Sequence, residues 1–266
     1  MIIDLVPVWV LFFIAAAFVL FSIEVGFRLG RAVRGTTEEE RESPASSIAS
    51  VILGLQAFML AFTFSIVSDR YDSKKGLVRE EANAIRSAFH RSDFLPEPDR
   101  AKTKLLLHDY LDQRVALAQA RNAKLVEDFL GTANQMQQEL WDMAVVNGRR
   151  DNSDISASYL QSIDDIMNLH ATRVAVGLQA RIPTGIWVVL LCLLILGMAG
   201  VGYHTAIADS RRSRVAPILA VAFALVIALI AALDHPGNGL LPVTQQPLVT
   251  VLNEINSSLG IDASNQ

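Results

Sequence analysis

The chain has 266 residues, 52% of them hydrophobic and only 19% charged, a composition too apolar for an ordinary water-soluble domain. Its net charge of −4 gives no basis for a nucleic-acid partner. Its single cysteine, Cys192, argues against a disulfide framework and against a Cys/His metal set.

The first element is the uncharged run Leu5 to Ile23. It has the roughly 18 to 20 apolar residues that a helix needs to cross the ~30 Å hydrocarbon layer. Met1 to Asp4 lacks the positive flank of a signal peptide, so this span is expected to be retained. A polar connection follows over 24–47, where Arg28, Arg31, Arg34 and Arg41 stand beside Glu38, Glu39, Glu40 and Glu42. The second uncharged run, Ile48 to Val67, holds Gln56, Thr63 and Ser65. Such polar groups need a partner helix or water at that depth. This span runs directly into a charged helix that starts at Ser68.

Segment 68–181 reads as an α-helical soluble domain inserted between the second and third spans. Leu95-Pro96-Glu97-Pro98 should end its first helix, because each proline lacks an amide donor and disfavours helix in the residue before it. Asn147-Gly148 should end the next block, and Ser153 or Asp154 can cap the last. Between these breaks the apolar spacing is helical: Val78, Ala82, Ile85 and Phe89, then Leu107, Leu111 and Val115, then Tyr159, Ile163, Ile166 and His170. No segment alternates with period two for long enough to argue a strand.

The third and fourth uncharged runs are Thr184 to Tyr203, closed by Gly200-Val201-Gly202, and Ala216 to Leu233. In the fourth, Ala216, Ala220, Ala224, Ala228 and Ala232 recur every four residues, a strip that lets another helix approach closely. The tail passes through a turn-rich stretch from Asp234 to Gly239 into a short amphipathic helix with Leu248, Leu252 and Ile255 on one face, expected to pack on the soluble domain. The expected architecture is all-α, a four-helix transmembrane bundle with a helical insert. Its parts are 1–67 (spans 1 and 2 with their loop), 68–181 (insert), 182–233 (spans 3 and 4) and 234–266 (tail).

Several stretches resemble the bestrophin-like family of bacterial multi-pass membrane proteins. They are Arg70-Tyr71-Asp72, then Glu81-Ala82-Asn83-Ala84-Ile85, then Leu95-Pro96-Glu97-Pro98. Leu233-Asp234-His235-Pro236 and Val243-Thr244-Gln245-Gln246-Pro247-Leu248 are similar to the family's closing motif. The chain departs from the family at Arg86, where glycine is usual, and at His235, often arginine. Phe58 and Phe62, followed eight residues on by Arg70-Tyr71, also look like part of the second span of bestrophins. Those are pentameric ion channels whose second span lines a hydrophobic neck. The resemblance implies a homo-oligomeric pore, pentameric by analogy, passing inorganic ions through a bacterial inner membrane, with a cytoplasmic insert.

Helical geometry bears on that implication. At 100° per residue Phe58, Phe62, Ser65 and Asp69 fall within about 60° on one face, while Gln56 and Thr63 share roughly the opposite one. A ring of phenylalanines from several subunits would form an apolar constriction able to gate by dewetting, with Ser65 and Asp69 at its wetter mouth. The plainer reading of the two aromatics is lipid-facing or bundle packing. Gln56 and Thr63 read as interhelical hydrogen-bonding groups, and Glu81 and Asn83 as a helix contact in preference to an ion site. Trp9, Trp187 and Tyr71 would lie at one membrane interface.

No cofactor or metal is expected: His90, His108, His170, His204 and His235 have no ligand spacing. No G-x-S-x-G, P-loop or H-E-x-x-H motif points to an enzyme. Orientation sets two arguments against each other. The two short loops carry seven arginines, counting Arg211, Arg212 and Arg214, which alone would place them in the cytoplasm. Against this, Arg70, Lys74, Lys75, Arg79 and Arg86 follow the second span, and the resemblance implies a cytoplasmic insert. The alternative to a channel is a non-conducting membrane scaffold or sensor whose helical domain binds a protein.

Overall fold

The computed structural model describes residues 7–33, 44–120, 123–176, 181–208, 215–234 and 242–261. Among them there are eight α-helices and no strand. In chain order these are α1 (Val8–Val33), α2 (Pro44–Arg91), α3 (Asp99–Ala120), α4 (Ala123–Arg150), α5 (Asp154–Val174), α6 (Thr184–Ile207), α7 (Ala216–Asp234) and α8 (Gln246–Leu259). The chain forms two compact units, Met1–Tyr71 with Arg181–Pro242 and Asp72–Ala180 with Val243–Gln266. Helix α2, 48 residues long, supplies both.

In the first unit, α1, the leading part of α2, α6 and α7 are each long and apolar enough to cross a membrane. Trp9, Phe13, Phe21, Val51 and Ile218 stand exposed on them, which suits a bilayer and not water. Helix α1 packs on α6 and α7. Small residues set its approach to α6: a Cβ at Gly26 would collide with the backbone of Ala199, and one at Gly202 with the backbone of Ile23. The backbones therefore touch, as in small-xxx-small helix pairs. Gly200-Val201-Gly202 does not close this span as the sequence suggested, because α6 runs on to Ile207. With its backbone bonds made inside the helix, the missing side chain serves packing, not a break. The alanine strip of α7 is buried at Ala220, Ala224, Ala228 and Ala232, and Ala224 packs in one cluster with Ala15 and Val19 of α1. Trp187 packs into this same core.

In the second unit, α3 packs on α4 and α8, and α4 packs on α5. Val78, Ala82, Ile85 and Phe89 of α2 are buried in one core with Leu107, Leu111 and Val115 of α3 and Tyr159, Ile163 and Ile166 of α5. These are the stripes read from the spacing. Helix α2 stops at Arg91 ahead of Leu95-Pro96-Glu97-Pro98, with a 3₁₀ turn over Ser92–Phe94. Ser153 caps α5, its hydroxyl accepting from the Ser156 amide at 3.3 Å.

Asn147-Gly148 does not end a helix: α4 continues to Arg150. The Asn147 side chain donates to the Met143 carbonyl and to Asp99 at 2.9 and 2.8 Å, so it satisfies itself inside the helix instead of capping it. Helix α8 opens on Pro247, where a missing donor costs nothing, and closes on Gly260 in the left-handed conformation at φ 68°. Its Leu248, Val251, Leu252 and Ile255 join the core of this unit.

Candidate functional site

Two places draw the sequence-predicted residues together. The first is the outward face of α2 in the first unit. Phe58 and Phe62 stack nearly parallel, ring centroids 6.5 Å apart and planes at 11°, and both are open, 65% and 53% exposed. Ser65 and Asp69 lie on the same exposed face. Gln56 and Thr63 turn the other way and are buried. Thr63 donates to the Met59 carbonyl of its own helix at 2.7 Å, so it does not reach across to another helix as its sequence position suggested. A hydroxyl can satisfy itself on the carbonyl four residues back. Gln56 lies against Gly197 of α6, and its amide makes no hydrogen bond among the described residues.

Further along the first unit, Arg70 and Asp234, distant motif residues, face one another at 3.7 Å. The Asp234 carboxylate also accepts from the Ile182 amide at 3.1 Å, and its carbonyl accepts from Arg181 at 2.6 Å. This aspartate thereby ties the end of α7 to the middle of α2 and to the segment just ahead of α6. Tyr71 packs at the edge of the same core. His235 and Pro236 lie outside the described residues, as do Arg34, Arg41, Glu38, Glu39, Glu40, Glu42, Arg211, Arg212 and Arg214.

The second place is a buried polar cluster in the second unit, centred on Glu81 of α2, which is 0% exposed. A carboxylate so enclosed stays charged only if paired and hydrogen-bonded. Arg173 of α5 donates to it directly, Arg114 of α3 does so at 3.4 Å and the Tyr110 hydroxyl at 2.8 Å. The network extends outward from these. Tyr110 meets His170 at 3.2 Å and accepts weakly from Gln137 of α4 at 3.5 Å. Arg173 also donates to Gln245, just ahead of α8, at 3.1 Å, and Gln245 donates to the Val243 carbonyl at 3.0 Å. Arg114 stands over the Phe129 ring at 5.3 Å. Four helices, α2 to α5, and the start of α8 are thus linked through one anion.

Burial governs the protonation here. It pushes the Tyr110 hydroxyl up, with the nearby Arg114 charge opposing. It lowers Arg114 and brings Arg173 down to about 10. His170 falls to about 4, from burial first and then from repulsion by Arg114, so near neutrality it is an uncharged hydrogen-bonding group. Two guanidiniums therefore face one carboxylate.

Glu81 and Gln245 stand in the motifs read above and His170 in an apolar stripe, whereas Tyr110, Arg114, Gln137 and Arg173 were not singled out. Arg173 could have been found as a cation three residues past His170 on the buried face of α5. Asn83 is exposed and accepts from Arg86 at 3.3 Å. Arg86 forks onto Glu254 of α8 at 2.8 and 3.1 Å. Pro96 and Pro98 are exposed in the turn between α2 and α3, their carbonyls accepting from Arg100 and Lys102. Gln246 and Pro247 form the first turn of α8. No group of three or more His, Cys, Asp or Glu is placed to hold a metal among the described residues.

A chain whose regular structure among the described residues is all helical, with four helices able to cross a bilayer, fits the class of multi-pass membrane proteins. Its residues 14–248 match the bestrophin-like domain, and the chain belongs to that family. No curated protein and no solved structure matches it.

Proposed function

We propose that this chain is a homo-oligomeric ion channel of a bacterial inner membrane, with the outward face of α2 lining its pore. The observation that carries this reading is the stacked, exposed pair Phe58 and Phe62 in line with Ser65 and Asp69. An aromatic pair followed by a hydroxyl and a carboxylate has the order of an apolar neck with a wetter mouth. Copies arranged around an axis, five by analogy with bestrophins, would bring these faces together as a ring. Membership of a bestrophin-like family, known for channels and not for enzymes, supports the same reading. The second unit is then cytoplasmic, holding the lower part of α2 in place through Glu81.

The rival reading is a membrane scaffold or sensor. What favours it is that the second unit has a core and a closed polar network of its own, as a protein-binding domain requires. Electron microscopy of the purified complex separates the two. A closed ring with a continuous axial path lined by Phe58 and Phe62 supports the channel, whereas a complex with no axial path refutes it.

A further inference from the structure

The first unit contains a groove of about 460 Å³, within the range of about 300–1,000 Å³ over which small molecules are held. Its walls are Leu20, Ile23 and Phe27 of α1, Val201 and Thr205 of α6, and Leu219 of α7. It forms because α1 and α6 touch backbone to backbone at Gly26 and Gly202, leaving space between this tight pair and the start of α7.

Its depth is set by the sequence. The uncharged run of α1 ends at Ile23, and Glu24, also in the wall, begins the charged stretch. The groove therefore straddles the boundary between hydrocarbon and headgroups. Arg28 and Arg31 follow within about two turns. Arg28 is exposed and pairs with Glu24 at 2.8 Å. Arg31 lies 5.5 Å from the ring of Phe27, itself a wall residue. Among the described residues, two guanidiniums against one carboxylate leave the mouth with one positive charge in excess.

An apolar cavity at this depth forfeits dispersion contacts unless something apolar fills it, and its charged mouth calls for an anion directly above. We infer that the groove is a binding site for an anionic phospholipid, one acyl chain lying along Ile23, Val201 and Leu219 and the phosphate held by Arg31 and Arg28. The site depends on α1, α6 and α7 crossing the bilayer and not on conduction, so it stands or falls separately from the channel reading.

The test is native mass spectrometry of the delipidated full-length protein in detergent, titrated with phosphatidylglycerol and, separately, with phosphatidylcholine of the same acyl chains. The expected result is one saturable phosphatidylglycerol per chain, held about fivefold more tightly than phosphatidylcholine, the factor that one net basic charge near a membrane surface confers. An Arg28→Gln, Arg31→Gln double variant, with Glu24 left unbalanced, should lose the preference for phosphatidylglycerol and bind it no more tightly than phosphatidylcholine. Val201→Trp, which fills the groove, should lose both. Arg28 and Arg31 are exposed, so the charge variant folds even if Val201→Trp does not, and it decides the matter alone. Equal affinity of the parent for the two lipids, or a preference that survives the double variant, overturns the site. Lipid binding unchanged in Val201→Trp while its oligomer dissociates gives the groove to a second copy of the chain and overturns it as well.

Discussion

Replacing Glu81 by glutamine tests the buried cluster at its centre. The change keeps volume and hydrogen-bonding capacity but removes the one anion that Arg173 and Arg114 share, whose own side chains are only 14% and 10% exposed. Breaking a buried ion pair from one side costs about 3–5 kcal/mol, because the remaining charge stays desolvated. The amide still accepts a hydrogen bond, which places the cost near the lower figure. At about 2–4 °C per kcal/mol for domains of this size, the transition should fall by roughly 10 °C.

Thermal unfolding of the detergent-solubilised protein, followed by near-ultraviolet circular dichroism, reads this directly. Arg173→Gln should cost much less in the Glu81→Gln background than in the parent, with a coupling on the order of 2 kcal/mol. A shift under about 2 °C, or simple additivity of the two changes, would refute the assignment of Glu81 as counter-ion to both arginines.

Ala224→Leu, placed where α7 is fully buried, should cost about 1–3 kcal/mol and lower bundle stability in a thermal scan; an unchanged scan would mean the strip is not tightly packed. His170 should give the second unit an acid sensitivity. Its folded pKa of about 4 lies below the ordinary 6.5, so the unfolded chain binds more protons in between. Stability is therefore full above about pH 6.5 and declines as pH falls toward 4, and His170→Gln should flatten that slope by on the order of 1–2 kcal/mol in acid-titrated unfolding. A cysteine at Asn152, exposed between α4 and α5, and another at Thr37, in a Cys192→Ser background, should label with an impermeant thiol reagent from opposite sides of the membrane, Thr37 alone from outside. Labelling of Asn152 alone from outside would reverse the orientation.

Much of the fold was legible because its determinants are local. Four uncharged runs long enough to span a bilayer show themselves without tertiary information, and Leu95-Pro96-Glu97-Pro98 stops α2 by backbone chemistry alone. The α2 face followed from the 100° step, which placed Phe58 and Phe62 opposite Gln56 and Thr63 as the structure has them. Where context decides, the reading went wrong. Asn147-Gly148 continues a helix because Asp99, 48 residues away, takes its amide proton, and in Gly200-Val201-Gly202 the glycines are contact points, Gly202 for α1 and Gly200 for α2, not a stop. Gly26 and Gly30 carry the matching small-xxx-small signal in α1, and that spacing could have revealed the pair. The partners of Glu81 were out of reach: Tyr110, Arg114 and Arg173 are 29, 33 and 92 residues away, and no short motif links them. Only the packing of α2 against α3 and α5 makes one site of them.

The central claim, a pore along α2, is tested most directly by ion flux through liposomes containing a Phe58→Ala, Phe62→Ala double variant that remains folded and oligomeric, beside the parent and a Phe13→Ala control on α1. If the stacked rings form an apolar neck, truncating them widens and wets the constriction, and flux should rise well above both the parent and the control. Flux indistinguishable among all three would contradict a pore on this face.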